Sequence, residues 1–122
     1  MPKRTTEFQD LIELLERQLA PIGAKVSASM LLTDSHSGEE REVDIVIETT
    51  SGIHSFTIGI EVIDHSRPAD ATWVEGIAKK HESLPINKTI LVSRSGFYKP
   101  AFIKAKAYKM EAYGFEEAKE VK

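Results

Sequence analysis

Two runs of β-branched residues on either side of a short turn signal constrain this chain most. Val43–Glu48 and Thr57–Asp64 are rich in Val, Ile and Thr, and Ser51-Gly52 lies between them. Such runs flanking a Gly-containing pair predict a β-hairpin. Each predicted strand carries a carboxylate among aliphatic side chains, Asp44 in the first and Glu61 in the second.

The hairpin register decides whether these two acids meet. With Ser51-Gly52 as a two-residue loop, Asp44 lies opposite Gly59, and Glu61 is its diagonal neighbour at about 7–8 Å. A four-residue loop puts the two acids directly opposite at about 5 Å, whereas a three-residue loop separates them. Adjacent acids in an apolar sheet need a partner that offsets their desolvation, and a magnesium ion is one such partner. The alternative is a pair of strand-end charges that bind Arg41 or a lysine.

Length and composition indicate a soluble globular protein. The 122 residues suit one domain, which we expect to span 1–122 with a core over about 7–113 and a fraying tail at 115–122. The absence of cysteine excludes a disulfide framework and a thiolate zinc site. No apolar run of eighteen residues is present, so we expect no membrane-spanning helix. The charged N-terminal segment does not resemble a secretory signal, which predicts a cytoplasmic protein.

Charge is distributed unevenly along the chain. Residues 79–110 contain eight basic residues and one acid, a formal charge of +7, so the rest carries −10 of the total of −3. A basic segment in an acidic protein predicts contact with a polyanion, and we expect Lys79, Lys88, Arg94 and Lys99 to bind nucleic acid. The alternative is an ordinary solvated, lysine-rich helix surface.

Periodicity and turn signals predict seven elements in the order α-β-β-β-α-β-α. This order predicts an α/β fold, with a mixed central sheet flanked by helices and one parallel βαβ unit. Outside the hairpin the predicted elements are a helix over Glu7–Ala20, a strand over Lys25–Leu32, a helix over Ala71–Glu82 or Ser83 capped by Asp70, a strand over Lys88–Ser93, and a helix from Lys99 to about Tyr113.

The second predicted helix presents two adjacent lysines and a histidine. On a helical wheel Lys79 lies opposite the apolar arc and pairs with Glu75, whereas Lys80 lies at the edge of that arc. Lys80 is therefore the lysine that we expect to face the sheet. His81 falls on the apolar side, where a packed, hydrogen-bonded histidine is more common than a metal ligand.

Four segments in this order resemble the PD-(D/E)xK nuclease superfamily over roughly Phe8–Tyr113. The resemblance is to its restriction-endonuclease-like branch, which includes methylation-dependent restriction enzymes and archaeal Holliday-junction resolvases. The matching segments are Arg41-Glu42-Val43-Asp44-Ile45-Val46-Ile47, Ile58-Gly59-Ile60-Glu61-Val62-Ile63-Asp64, Trp73-Val74-Glu75 and Ser93-Arg94-Ser95-Gly96-Phe97.

The resemblance implies a restriction-endonuclease-like fold and an endonuclease that hydrolyses phosphodiester bonds with Mg²⁺ or Mn²⁺. Asp44 and Glu61 correspond to the metal-binding acids, and the Val62 carbonyl completes the implied ligand set. Nucleic acid is the implied partner, with DNA favoured over structured RNA, and a homodimer is expected for engaging both strands of a duplex.

Two positions depart from the superfamily pattern. Ile63 occupies the place of the motif lysine, and Gln9 follows Phe8 where related nucleases often carry a glutamate, leaving Glu7 or Glu13 as substitutes. One explanation is that Lys80 supplies the missing ammonium, which makes Asp44, Glu61 and Lys80 the candidate catalytic residues. The other is a degenerate site in a nuclease-fold module that binds nucleic acid or a protein partner without turnover.

Overall fold

A five-stranded mixed sheet forms the centre of the protein. The structure is a computed structural model that describes residues 6–115 and 117. Among these residues no helix is both long and apolar enough to cross a membrane. The elements in chain order are α1 (Thr6–Leu19), a 3₁₀ turn (Ala20–Ile22), β1 (Lys25–Thr33), β2 (Glu40–Ser51), β3 (His54–Ile63), α2 (Ala71–Glu82), β4 (Lys88–Ser93), α3 (Lys99–Ala107) and β5 (Glu111–Gly114).

The strands lie in the order β1-β2-β3-β4-β5. The first three pair antiparallel, whereas β3 pairs parallel with β4 and β4 parallel with β5. Parallel neighbours require a crossover, and α2 and α3 provide the two crossovers. The predicted α/β fold with a mixed sheet flanked by helices is confirmed.

The C-terminal part differs from the prediction of one helix to Tyr113. Helix α3 ends at Ala107, and residues 111–114 form the edge strand β5. The chain leaves the helix through Lys109, whose φ of 61° lies in the left-handed region that usually favours glycine. No glycine or proline marks this turn, which is why the sequence pattern did not reveal it.

Core packing also continues beyond the predicted limit at residue 113. Phe115 is buried against Phe8 and Leu11 of α1. Residues 118–122 of the predicted fraying tail lie outside the described residues.

Helices cover both faces of the sheet. Ile60 and Val92 pack with α1, whereas Leu91 packs with α2 and α3. Leu91 and Val92 are consecutive, so they point to opposite faces. Glu61 is the neighbour of Leu91 across the parallel ladder and therefore belongs to the α2 face.

Strand β1 changes face at Ser29. Val26 packs with the α1 cluster, whereas Met30 and Leu32 pack with Val43 of β2 and with Leu84, just after α2. Ser29 has a φ of 52° and lies between Ala28, which pairs with Ile45, and Met30, which pairs with Val43. A left-handed residue redirects the side chains that follow it. The first strand therefore contributes to both faces of the sheet.

Asp70 caps α2, as the sequence predicts. Its Oδ1 accepts a hydrogen bond of 2.9 Å from the backbone N–H of Trp73. The Asp70→Ala variant is expected to lose about 1 kcal/mol of unfolding free energy because this N–H loses its acceptor. Urea denaturation measures the loss, and Asp10→Ala on the exposed side of α1 is the control, expected to stay within about 0.5 kcal/mol. Equal midpoints for wild type and Asp70→Ala would show that the cap contributes nothing.

Candidate active site

The β2–β3 hairpin adopts the register that brings its two acids together. Ser51 pairs with His54, and the pairing continues to Ile45 opposite Ile60. The ladder ends at this pair, and two side-chain contacts with the backbone of the opposite strand then bring Asp44 and Glu61 next to each other. The turn is made by Gly52 and the residue after it, with Gly52 at a φ of 64°, not by Ser51-Gly52. This register is the one predicted for a four-residue loop, but the structure forms it with a two-residue turn.

The two carboxylates replace backbone pairing at this point of the hairpin. The backbone N–H of Val62 donates to Asp44 Oδ2 at 2.8 Å. In the other direction, the N–H of Asp44 donates to Glu61 Oε1 over a longer 3.4 Å. Each acid therefore binds the backbone of the opposite strand, which fixes the side chains of Asp44 and Glu61 next to each other.

Two side chains of helix α2 contact the Glu61 carboxylate through nitrogen atoms. Lys80 Nζ lies 2.8 Å from Glu61 Oε2, and His81 Nε2 lies 2.7 Å from the same oxygen. Lys80 Nζ also donates to the backbone carbonyl of Glu42 on β2 at 2.5 Å. Lys80 thus faces the sheet and Lys79 is exposed, as the helical wheel predicts. His81 is packed and hydrogen-bonded, also as expected.

Glu61 is ionised in a buried position because its neighbours outweigh its desolvation. Its residue surface is only 4% exposed, and this burial by itself raises the pKa of the carboxyl group. Hydrogen bonds from His81 and Lys80, together with their positive charge, act in the opposite direction, and the net result is a pKa below the ordinary value. The site therefore holds a carboxylate at neutral pH.

This lowered pKa predicts a dependence of stability on pH. The stabilisation is complete above about pH 4.3, the ordinary glutamate value, and is lost as the pH falls through the lower pKa of the folded state. In Glu61→Gln the unfolding free energy should therefore fall less steeply than in wild type between about pH 5 and 3. Urea unfolding at a series of pH values measures both slopes, with Glu16→Gln on α1 as the surface control. A Glu61→Gln slope equal to that of wild type would refute this assignment.

A cleft leads from the solvent to Lys80. It has a volume of about 370 Å³ and lies between α2 and the loop after β1. Arg41, His36 and Lys79 line it together with Lys80. The Lys80 side chain is 17% exposed and lines this cleft, whereas neither Asp44 nor Glu61 is among its described lining residues.

The donor set fits a hard divalent cation with few protein ligands. Asp44 and Glu61 lie side by side, and Mg²⁺ commonly takes one or two carboxylates and fills its remaining positions with water and phosphate oxygens. Among the described residues, no group of three or more His, Asp and Glu side chains has a metal-binding arrangement. Gln9 and Glu13 are exposed on α1, on the opposite side of the sheet from α2, and the side chain of Glu7, the other acid considered from the sequence, lies outside the described part of the structure. The described side chains thus provide a two-acid site, without an acid from the first helix.

Ile63 lies on the strand face that a motif lysine would use. It comes two residues after Glu61, so the two side chains point the same way. Ile63 is half-buried and pairs with Ser93 in the β3–β4 ladder. Its aliphatic side chain offers no donor, and the ammonium group near Glu61 comes from Lys80 on α2.

The predicted nucleic-acid-binding residues do not form one patch. Lys88 begins β4 and Arg94 follows its last residue, a separation of about 20 Å at 3.3 Å per residue. Lys88 forms an ion pair with Glu111 at 3.1 Å, and Arg94 one with Asp64 at 3.5 Å.

The remaining lysines of the predicted set are exposed at different places. Lys79 lies near the end of α2 and Lys99 at the start of α3. Lys79 and Lys88 share an open cavity of about 540 Å³ with Lys109 and Tyr108. The positive charge of the segment is therefore divided between separate surfaces and partly neutralised by ion pairs.

Two residues that the sequence did not single out shape the site. Thr89 Oγ1 lies 2.7 Å from His81 Nδ1. Gly59 provides space, since an added Cβ would lie 3.1 Å from His81 Cε1 and 2.7 Å from Ile86 Cδ1. A glycine inside a β-branched strand is a signal of close approach that the sequence did contain.

Comparisons with known proteins identify the fold. Neither a protein-family model nor a curated protein matches the sequence. A similar solved structure is the crystal structure of a protein of unknown function, AF1548, with a TM-score of 0.69 and 15% identity over 92% of this chain and 59% of that one. Two restriction endonucleases share this architecture as well, so the fold is restriction-endonuclease-like.

Two restriction endonucleases are also similar. MspJI, solved in complex with a 27-mer oligonucleotide, has a TM-score of 0.50 and 14% identity over 93% of this chain. AspBHI, a DNA modification-dependent restriction endonuclease, has a TM-score of 0.52 and 12% identity over 96% of this chain. The chain spans only 26% and 35% of these two proteins, and at such identities the similarity shows the fold alone.

Proposed function

We propose that this protein is a metal-dependent nuclease that hydrolyses phosphodiester bonds, with DNA as the favoured substrate. The observation that carries the proposal is the contact between Lys80 Nζ and Glu61 Oε2 at 2.8 Å, beside Asp44 on the neighbouring strand. Two acids and a lysine of the PD-(D/E)xK type then form the active site, with the lysine supplied by α2 in place of position 63.

Asp44 and Glu61, with the Val62 carbonyl, would hold Mg²⁺ or Mn²⁺. Such an ion, when bound, polarises a phosphoryl oxygen and lowers the pKa of a water molecule. The chain's own contribution is to fix the acids. Asp44 Oδ2 is held by the Val62 N–H, whereas Glu61 Oε1 has only a long contact with the Asp44 N–H among its described partners. Glu61 Oε1 therefore retains capacity for a further contact.

Lys80 would orient the attacking water and stabilise negative charge on the phosphate. An ammonium group has three N–H donors, and the described contacts to Glu61 and to the Glu42 carbonyl use two of them. The third donor remains for substrate or water, and the cleft beside α2 provides access. Positioned positive charge of this kind stabilises the transition state of phosphoryl transfer.

A second candidate is a non-catalytic nuclease-fold module that binds nucleic acid or a protein partner. It is favoured by the burial of Glu61, whose charge is already balanced by Lys80 and whose Oε2 also contacts His81, and by the aliphatic Ile63. Such an internal network keeps the fold without a metal. This module would bind with strong dependence on salt and would release no product.

Substrate engagement is part of the proposal. MspJI was solved with an oligonucleotide, and a related use of the fold here would involve DNA binding at separate surfaces, near Lys79 and Lys88 on one side and near Arg94 and Lys99 elsewhere. A homodimer would let two sites act on both strands of a duplex. Light scattering coupled to size-exclusion chromatography tests the dimer, which a monomer at assay concentrations would exclude.

A cleavage assay with exchanged metals tests the nuclease proposal. Wild-type protein is incubated with supercoiled plasmid, linear duplex and a structured RNA, each with Mg²⁺, Mn²⁺, Ca²⁺ or EDTA. We expect cleavage with Mg²⁺ and Mn²⁺ and none with EDTA, with DNA cut faster than RNA. Salt-sensitive binding without product under every metal condition would favour the non-catalytic module instead.

A further inference from the structure

Both ring nitrogens of His81 form contacts, one with Glu61 in the candidate site and one with Thr89 on strand β4. Nε2 lies 2.7 Å from Glu61 Oε2, and Nδ1 lies 2.7 Å from Thr89 Oγ1 on β4. The residue is only 6% exposed. Neither nitrogen is left to bind a substrate, so any contribution of His81 to the reaction must pass through Glu61.

The chemistry of the three groups determines which atom donates and which accepts each hydrogen bond. An ionised carboxylate only accepts hydrogen bonds, so Nε2 carries the hydrogen donated to Glu61. The Thr89 hydroxyl both donates and accepts, and it therefore satisfies Nδ1 whatever the protonation of the ring. Thr89 thus keeps the imidazole oriented with its N–H toward Glu61.

Strand β3 leaves space for the imidazole ring of His81 at Gly59. Gly59 lies two residues before Glu61, on the same face, and a Cβ there would meet both His81 and Ile86. Gly59 is not among the glycines with positive φ, so its backbone conformation does not require glycine. Glycine inside a strand is less favourable than alanine, so the space that His81 and Ile86 occupy is the evident reason for Gly59.

We propose that His81 is a positioning residue of this site. By occupying Oε2 together with Lys80, it fixes the rotamer of Glu61 so that Oε1 stays on the side of Asp44. The inference rests on the proposed function and adds a residue that the acid and lysine pattern does not contain. Hydrogen-bond partners of metal-binding carboxylates typically contribute about 10–100-fold to metal affinity or activity.

A set of matched variants tests the role of His81. His81→Leu fills the space without a donor, His81→Gln keeps an N–H donor near the position of Nε2, and Thr89→Val removes the outer contact. His54→Leu, at an exposed position next to the hairpin turn, is the control. The readouts are Mn²⁺ affinity by calorimetry, kcat and KM for duplex cleavage, and the urea midpoint.

We expect His81→Leu to lose about 10–100-fold in Mn²⁺ affinity and kcat with little change in KM for duplex. His81→Gln should recover most of this loss, and Thr89→Val should show a smaller one. A change in the urea midpoint alone, with Mn²⁺ affinity and kcat retained by folded His81→Leu, would reduce His81 to a structural residue. Wild-type protein that neither binds Mn²⁺ nor cleaves would instead overturn the proposed function, and the positioning role with it.

Discussion

Lys80→Ala is expected to lower the rate of metal-dependent cleavage by about 10²–10³-fold, the usual loss when one charge-stabilising group is removed. The physical reason is that Lys80 provides the ammonium group next to Glu61, at 2.8 Å, where Ile63 provides none. Single-turnover cleavage of one labelled duplex measures the effect. Lys79→Ala is the matched comparison: Lys79 is adjacent in sequence, exposed and without an ion pair among the described residues, so its loss is expected to weaken duplex binding and to leave the single-turnover rate at saturating protein unchanged.

A second variant separates chemistry from stability. Lys80→Ala leaves the buried Glu61 carboxylate with His81 as its remaining side-chain hydrogen-bond partner among the described residues, so part of its effect is expected on folding. Adding Ile63→Lys to Lys80→Ala places an ammonium group on the strand face of Glu61 and should restore part of the rate. Full activity in Lys80→Ala, with loss in Lys79→Ala, would reverse the assignment of the two lysines.

Asp44→Asn is expected to abolish detectable Mn²⁺ binding, because an amide is a much weaker ligand for a hard cation than a carboxylate. The substitution is nearly isosteric, and the amide oxygen can still accept the hydrogen bond from the Val62 N–H. The fold should therefore be kept, which circular dichroism verifies. Calorimetric titration of Mn²⁺ into both proteins measures the loss.

Asp64→Asn is the control for this titration. Asp64 lies just past the end of β3, three residues after Glu61, and pairs with Arg94. Its replacement should leave the Mn²⁺ isotherm of wild type unchanged. An isotherm for Asp44→Asn equal to that of wild type would remove Asp44 from the site.

The hairpin illustrates what the sequence could predict. The β-branched runs and the nearby glycine located both strands, and alternation placed Asp44 and Glu61 on one face in two of three registers. The choice among registers depended on the backbone of a few turn residues. Gly52 with a φ of 64° made the turn one residue later than the Ser51-Gly52 pair suggests. Only the structure could decide this.

Lys80 shows that helical periodicity predicts which way a side chain points but not which residues it contacts. The wheel placed Lys80 toward the sheet, yet its contacts with Glu61 and the Glu42 carbonyl depend on how α2 packs on the strands. The Thr89 contact of His81 depends on the same packing. Such contacts join residues far apart in sequence, and one sequence alone carries no signal for them.

The basic segment 79–110 shows that net charge along the sequence does not predict where the charges lie on the surface. Its net charge is a property of the sequence, but the sheet places Lys88 and Arg94 at opposite ends of β4. Acids from other elements then neutralise several of its charges, among them Glu111 with Lys88 and Glu75 with Lys104. Counting charges along the chain therefore overstated the density of positive surface.

The most direct test of the central claim is cleavage of one duplex by wild type and Asp44→Asn, with Mn²⁺ and with EDTA, in preparations purified side by side. We expect product from wild type only, and only with Mn²⁺, if the two cross-strand acids hold the metal as proposed. Equal cleavage by both proteins would contradict this role of Asp44 and would point to a contaminating nuclease or to another site.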